Sequence, residues 1–208
     1  MADKKPRGYF KYTLAVDCET TGIALGADNP AFNPATGEKY QAISWGLIVV
    51  DTSTLNSVEE LYVEIQWDKK YNWSPQAERV HGMSKEYLRE NGVPMEEAVL
   101  QIGSLILKYW GATGPICLLG HNVATFDLQF LRETLRSQGV EVRFANRHVD
   151  TNGIGFATLE TYNSDDLFQL VGLPTRDPSK HNALVDAKNA LHVVRTIRTI
   201  YNHVINGE

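Results

Sequence analysis

The chain has 208 residues, enough for one large domain with a sizeable core, or at most two small ones. Apolar residues make up 43% and charged residues 22%, ordinary globular values that exclude disorder, collagen and coiled coil. With 20 Lys and Arg against 25 Asp and Glu, the formal net charge is −5, so a polyanion cannot be held by bulk positive charge.

In chain order, Tyr9 to Asp17 reads as a strand, apolar at Leu14, Ala15 and Val16, that runs into Thr20-Thr21-Gly22. A long polar loop from Gly22 to Gln41 follows, carrying Pro30, Pro34 and Gly37. Gln41 to Val50 is rich in β-branched and aromatic residues and predicts a buried strand, with Asp51 to Asn56 as a turn. From Leu61 to Trp67 apolar and polar residues alternate, which predicts a half-exposed strand antiparallel to its predecessor. Gln66 to Trp73 interleaves Trp67, Tyr71 and Trp73 with Lys69 and Lys70; such a loop either packs as a satellite cluster or offers a stacking platform to single strands. Met95 to Tyr109 recurs at helical spacing, with Pro94 at its start and Gly111 as its stop. Ile116 to Leu119 predicts a short buried strand, and Phe126 to Leu135 a second amphipathic helix ending at Gly139. Val140 to Val149 reads as another strand, and Ser164 as the cap of a short helix ending at Gly172-Leu173-Pro174. A final long helix runs from Asn182 to Val204. Three strands followed by alternating helices and strands predict an α/β fold with a mixed sheet. No repeat, low-complexity tract or linker divides the chain, so one domain over 1–208 is expected. Cys18 and Cys117 each sit in an apolar run and form no disulfide framework, which points to a reducing compartment. With no signal-like or membrane-spanning apolar run, the expected location is cytoplasmic.

Three segments carry acids that could do chemistry. Asp17 and Glu19 are two apart at the end of the first strand, so both point the same way; held close, they repel unless a cation sits between them. Asp127 follows Gly120-His121-Asn122 and enters a helix, with Asn122 or Thr125 as the cap. Alone, Asp127 is accounted for by the helix dipole. His181 and Asp186 are five apart and share no helix face, but they converge if His181 precedes the helix and Asp186 lies in its second turn. His121 reads as structural.

Together, Asp17-Cys18-Glu19-Thr20-Thr21-Gly22, His121-Asn122 with Phe126-Asp127, and His181 with Asp186 resemble the DEDDh branch of the DnaQ-like 3′–5′ exonuclease superfamily. Val80-His81-Gly82-Met83, Val149-Asp150-Thr151 and Gly172-Leu173-Pro174 also match that pattern, which extends from about Leu14 to Val194. The resemblance implies an RNase H-like mixed sheet, three antiparallel strands and then parallel ones, flanked by helices. It implies that Asp17, Glu19, Asp127 and Asp186 hold two Mg²⁺ or Mn²⁺ ions and that His181 is the general base. Thr20 and Thr21 would recognise the 3′ end, and Val80, His81 and Phe126 would receive the terminal base. The expected activity is hydrolysis of single-stranded nucleic acid to nucleoside 5′-monophosphates, in DNA repair or proofreading. The Thr-Thr-Gly and Val-His-Gly-Met segments resemble proofreading members more than oligoribonuclease, which leans the substrate towards DNA over RNA. The expected partners are single-stranded DNA or RNA 3′ ends, with a polymerase or a second copy as protein partner and no membrane. A catalytically silent exonuclease fold that binds nucleic acid or a polymerase is the alternative. Cys18, between the two acids, is expected to face away and pack.

Overall fold

The computed structural model describes residues 10–25, 38–177 and 179–206. In chain order the elements are β1 (Tyr12–Thr20), β2 (Ala42–Asp51), β3 (Ser57–Glu64), α1 (Pro75–His81), α2 (Lys85–Asn91) and α3 (Met95–Trp110). Then come β4 (Cys117–Gly120), α4 (Asp127–Arg136), β5 (Val149–Asp150), α5 (Thr151–Leu159), α6 (Ser164–Leu170) and α7 (Ala183–Asn206). The five strands form one sheet in the order β3-β2-β1-β4-β5. β1, β2 and β3 pair antiparallel, while β4 and β5 join the other side in parallel. This is the RNase H-like mixed sheet that the motifs implied.

Alternation along β1 divides the core. Leu14, Val16 and Cys18 pack with Trp45, Leu47 and Val49 of β2 against Ile102 and Leu105 of α3 and Phe130 and Leu131 of α4. Ala15, with Ile48 and Val50 of β2 and Leu119 of β4, packs against Ala187, Ala190 and Leu191 of α7. Each fully buried Leu or Ile contributes roughly 1.5–3 kcal/mol, so both faces of β1 are firmly anchored. Since Asp17 and Glu19 share the face of Ala15, they emerge on the α7 side of the sheet.

α7 approaches β2 very closely where Gly46 pairs with Asp17. A Cβ on Gly46 would stand 2.2 Å from the Leu184 nitrogen, so only glycine lets the start of α7 lie there.

Several elements differ from the sequence expectation. β3 begins earlier, at Ser57, and ends at Glu64, with Ile65 adding only a single bridge to Val93. The expected strand from Val140 to Val149 shrinks to Val149–Asp150 plus one bridge between Phe144 and Ile116. Its ladder is interrupted because the His148 ring takes the Leu118 amide, at 3.1 Å, where a strand carbonyl would. Asn163, not Ser164, caps α6, its Oδ1 accepting the amides of Asp165 and Asp166. The sequence reading missed α1, α2 and α5. α1 and α2 bury one residue each, His81 and Leu88, so they show no apolar period. α5 contains Gly153 and Gly155, weak helix formers that hide it from the pattern. Tyr9 and most of the long polar loop, with Pro30, Pro34 and Gly37, lie outside the described residues. The loop's two ends meet at a bridge between Leu25 and Lys39. No described helix is long and apolar enough to cross a membrane.

The aromatic loop packs. Trp67 and Trp73 meet edge to face at 5.7 Å beside Ile43, Met83 and Leu88, and Lys85 Nζ lies 4.1 Å from the Trp67 centroid. Tyr71 is buried, and Trp73 Nε1 donates to Glu78. The satellite-cluster reading holds, and these rings buttress α1.

The Gly46 contact gives a paired expectation. Gly46→Ala should lower unfolding stability in urea by about 1–3 kcal/mol through overpacking. Gly103→Ala, where nothing lies within 4 Å on α3, should raise it by about 0.5–1 kcal/mol.

Candidate active site

Acids reach the end of β1 from both faces of the sheet. Glu19 and Asp186 are buried and Asp17 is partly so. Asn182 caps α7, its Oδ1 accepting the amides of Leu184 and Val185 at 3.1 Å each. That cap sets Asp186 in the first turn rather than the second and leaves His181 just outside the helix. His181 Nδ1 then lies 3.8 Å from Asp186 Oδ2, so the convergence suggested by the spacing is realised. One ligand atom each from Glu19, His181 and Asp186 lie within 4.8 Å of one another. His181, expected as the general base, is thus within the same reach as the acids.

Asp127 arrives from the other face. It opens α4, but neither Asn122 nor Thr125 caps that helix; the preceding residue, Phe126, makes no side-chain cap bond. Asn122 instead adopts a left-handed backbone, φ 56°, and its amide donates to Asp150 Oδ1 at 3.0 Å. The Cys18 side chain and backbone lie beside the Asp127 carboxyl and favour its charged form. Cys18 is therefore packed, as expected, and also lies against an acid.

Three adjoining cavities, all bordered by Cys18, surround this end of the strand. One of about 200 Å³ is lined by Asp17, Glu19, His121, Arg176, His181 and Asp186. A second of about 480 Å³ holds Asp17, His121, Phe126 and Asp127. A third, also about 480 Å³, is lined by Glu19, Thr20, Tyr40, Val80, His81 and Phe126. His121 is tied at both ring nitrogens, to Thr151 Oγ1 at 3.1 Å and to the Tyr162 carbonyl at 3.0 Å, as suits a structural residue.

The electrostatics follow from crowding like charges. Burial, then the charges of Asp127, Glu19 and Asp186, hold the Asp17 carboxyl well above its ordinary range, with Arg176 opposing. Burial and Asp186 push Glu19 up to about 8. Burial raises Asp127 to about 7 against the pull of the Cys18 thiol. His181 is shifted down, by burial and then by the Arg176 charge, so its imidazole stays neutral near neutral pH. Carboxylate oxygens beside one imidazole suit a hard divalent cation such as Mg²⁺ or Mn²⁺, and such an ion would relieve the repulsion.

The expected substrate contacts divide. Thr20 borders the third cavity, its hydroxyl donating to the Gly22 carbonyl at 2.8 Å. Thr21 is not brought there. It is fully buried, its amide bonded to the Gln41 carbonyl, its carbonyl to the Ser74 amide and its hydroxyl to Asn72 and Gln41. It welds three segments together and has no atom left for a ligand.

Val80, His81 and Gly82 have a further role. The Val80 carbonyl accepts the His181 amide at 3.2 Å. Gly82, at φ 71°, ends α1 so close to Ser179 that a Cβ would meet its carbonyl at 2.6 Å. This segment therefore braces the loop that carries His181. The His81 Nδ1 accepts the Met83 amide at 3.0 Å, which leaves the proton on Nε2. That N–H is buried and has no partner among the described residues. Burial pulls the ring down to about 4, so it remains a neutral donor.

Sequence reasoning passed over Arg176, Asn182 and the nearness of Cys18 to Asp127. An Asn before Ala183-Leu184 is a readable cap signal; nothing in the spacing marks the other two.

The raised carboxyls set a pH dependence. Their ordinary values are 4.5 for Glu19 and 3.8 for Asp127, so between those and the folded values the native state binds more protons than the unfolded chain. Stability is highest at low pH in that window and falls as pH rises. With chelator present, the melting temperature should drop between about pH 5 and pH 8, and Glu19→Gln with Asp127→Asn should flatten the slope.

The chain matches the family profile described as exonuclease over residues 14–194. No curated protein matches it. Among solved structures it is similar to E. coli exonuclease I in complex with a dT13 oligonucleotide, at 17% identity and TM-score 0.71, covering 95% of this chain and 43% of that one. It is also similar to the product-bound exonuclease I, at 17% identity and TM-score 0.67, covering 92% and 44%. A dA16 complex of the same enzyme matches at 18% identity and TM-score 0.70, covering 91% and 41%. The chain spans less than half the length of these exonuclease I chains. From the sheet, the motifs and a match over most of its length, the chain belongs to the exonuclease family, of the DEDDh, DnaQ-like type.

Proposed function

We propose that the protein is a metal-dependent 3′–5′ exonuclease that removes nucleoside 5′-monophosphates from single-stranded nucleic acid, with DNA as the preferred substrate. The observation that carries this reading is the convergence of Asp17, Glu19, Asp127 and Asp186 beside the neutral imidazole of His181 at the end of one strand. The preference for DNA is supported by the single-stranded DNA oligonucleotides bound to the exonuclease I structures that share this fold.

Asp17, Glu19, Asp127 and Asp186 would hold two Mg²⁺ or Mn²⁺ ions, Asp17 being the acid that borders both the small cavity and the Asp127 cavity. When bound, such ions supply charge stabilisation for the entering and departing oxygens of a phosphodiester and make water acidic near neutral pH. His181 accepts the proton of the attacking water. Its lowered pKa keeps it unprotonated and ready for that role. His81 donates its unpartnered Nε2–H to an oxygen of the terminal nucleotide, and Phe126 with Val80 offers that nucleotide an apolar wall. Four carboxylates balance two dications, so a chain of net charge −5 need not repel its substrate at this point.

The test is release of mononucleotides from 5′-labelled single-stranded DNA and matched RNA, with Mg²⁺ and with chelator. Asp17→Asn should reduce turnover by at least about 10³-fold in step with removal of the metal. Equal inactivity of wild type and Asp17→Asn on every substrate would favour a silent binding module instead. His181→Ala should lower kcat about 10²–10⁴-fold, as expected for a lost general base. His81→Ala should act chiefly on KM; a pure loss in kcat would contradict its placement as a nucleotide contact.

A further inference from the structure

Arg176 lies in the loop between α6 and α7, its side chain 15% exposed and its guanidinium among the acids. All three of its nitrogens are engaged. Nη1 is 2.9 Å from Asp186 Oδ1, Nε is 2.6 Å from Asp165 Oδ1, and Nη2 donates to Ser164 Oγ at 2.8 Å. The Phe168 ring lies 5.0 Å from Cζ. Ser164, Asp165 and Phe168 all belong to α6, so the fork is fastened to that helix and extends one arm to α7.

This contact divides the Asp186 carboxylate. Oδ1 receives Arg176 and, at 3.3 Å, the Asn189 amide. Oδ2 is the oxygen that faces His181. We propose that Arg176 is a positioning residue: clamped by Asp165 and Ser164, it fixes Asp186 so that Oδ2 is offered to a divalent cation together with Glu19, with the His181 imidazole beside that oxygen. The inference rests on the metal-dependent reading above and names a residue that the exonuclease motif does not include.

Two arrangements of a guanidinium beside a metal site have opposite consequences. A guanidinium that occupies the cation's place must leave, and removing it would tighten metal binding. A guanidinium that stays as a brace strengthens binding, and removing it weakens binding. The fastening to α6 favours the brace, because swinging out would forfeit three polar contacts and the ring contact at once. A planar fork can serve three partners in fixed directions, which a lysine ammonium cannot reproduce. Outer hydrogen-bond partners of metal ligands typically matter by 10–100-fold in affinity.

The experiment is calorimetric titration of Mn²⁺ into the chain without nucleic acid, for wild type, Arg176→Met, Arg176→Lys, Asp165→Asn and Asp17→Asn. Arg176→Met and Arg176→Lys should each weaken Mn²⁺ by about 10-fold or more. Asp165→Asn, which removes the anchor without touching the acids, should weaken it in the same direction by less. In activity assays the Mn²⁺ needed for half-maximal rate should rise while KM for the oligonucleotide stays put. Unchanged or tighter Mn²⁺ binding in Arg176→Met and Arg176→Lys overturns the inference while leaving the nuclease reading intact. Absence of Mn²⁺ uptake by wild type, or equal uptake by Asp17→Asn, overturns both. Should Arg176→Met fail to fold, the lysine and Asp165 variants decide the matter.

Discussion

Like charges held together where water is scarce are the constraint on which this protein is built. Asp17 sits at the end of a strand whose preceding residues are buried on both faces, and its carboxyl is crowded by three others. The Arg176 guanidinium offsets that crowding only in part. The arrangement persists because the sheet and the helices α4 and α7, with many apolar contacts of their own, fix the backbone from which each acid projects. The fold supplies the energy and the site stores it as repulsion, which a dication can discharge.

The division of labour between the two faces of β1 follows from the two-residue period of a strand. Asp17 and Glu19 look towards α7 and meet Asp186 there. Cys18 looks the other way, towards α4, and lies beside Asp127. The tripeptide is thus a junction: adjacent side chains gather groups from helices on opposite sides of the sheet. Thr21, two residues beyond the tripeptide, is spent on joining β1 to the Gln41 and Asn72 segments and gives the site its stiffness rather than its contacts.

Much of this was legible in the sequence. The buried run of β2, the alternation of β3 and the long periods of α3 and α7 each carry one dominant pattern, so their types could be read directly. The acids were legible because three local motifs together resemble a known family's pattern: a pair two apart on a strand, an Asp opening a helix, and a His and an Asp straddling a helix start, each of which has a blander account when taken alone. What escaped depends on contacts distant in sequence. The break in the strand before Val149 is caused by the His148 ring, and α1 and α2 each bury a single residue, which no periodicity can announce. The brace from Val80 to His181 and the clamp on Asp186 by Arg176 are likewise products of tertiary packing.

The order of these elements along the chain has a consequence for how the protein comes into being. β1 contributes its acids near the beginning, whereas Asp186 and His181 arrive with α7, after every other described strand and helix. A growing polypeptide emerging from the ribosome therefore carries an incomplete set of donors until α7 docks on the Gly46 side of the sheet. On the proposed nuclease reading, synthesis itself acts as a safety catch, because a chain made only as far as α6 has no assembled centre.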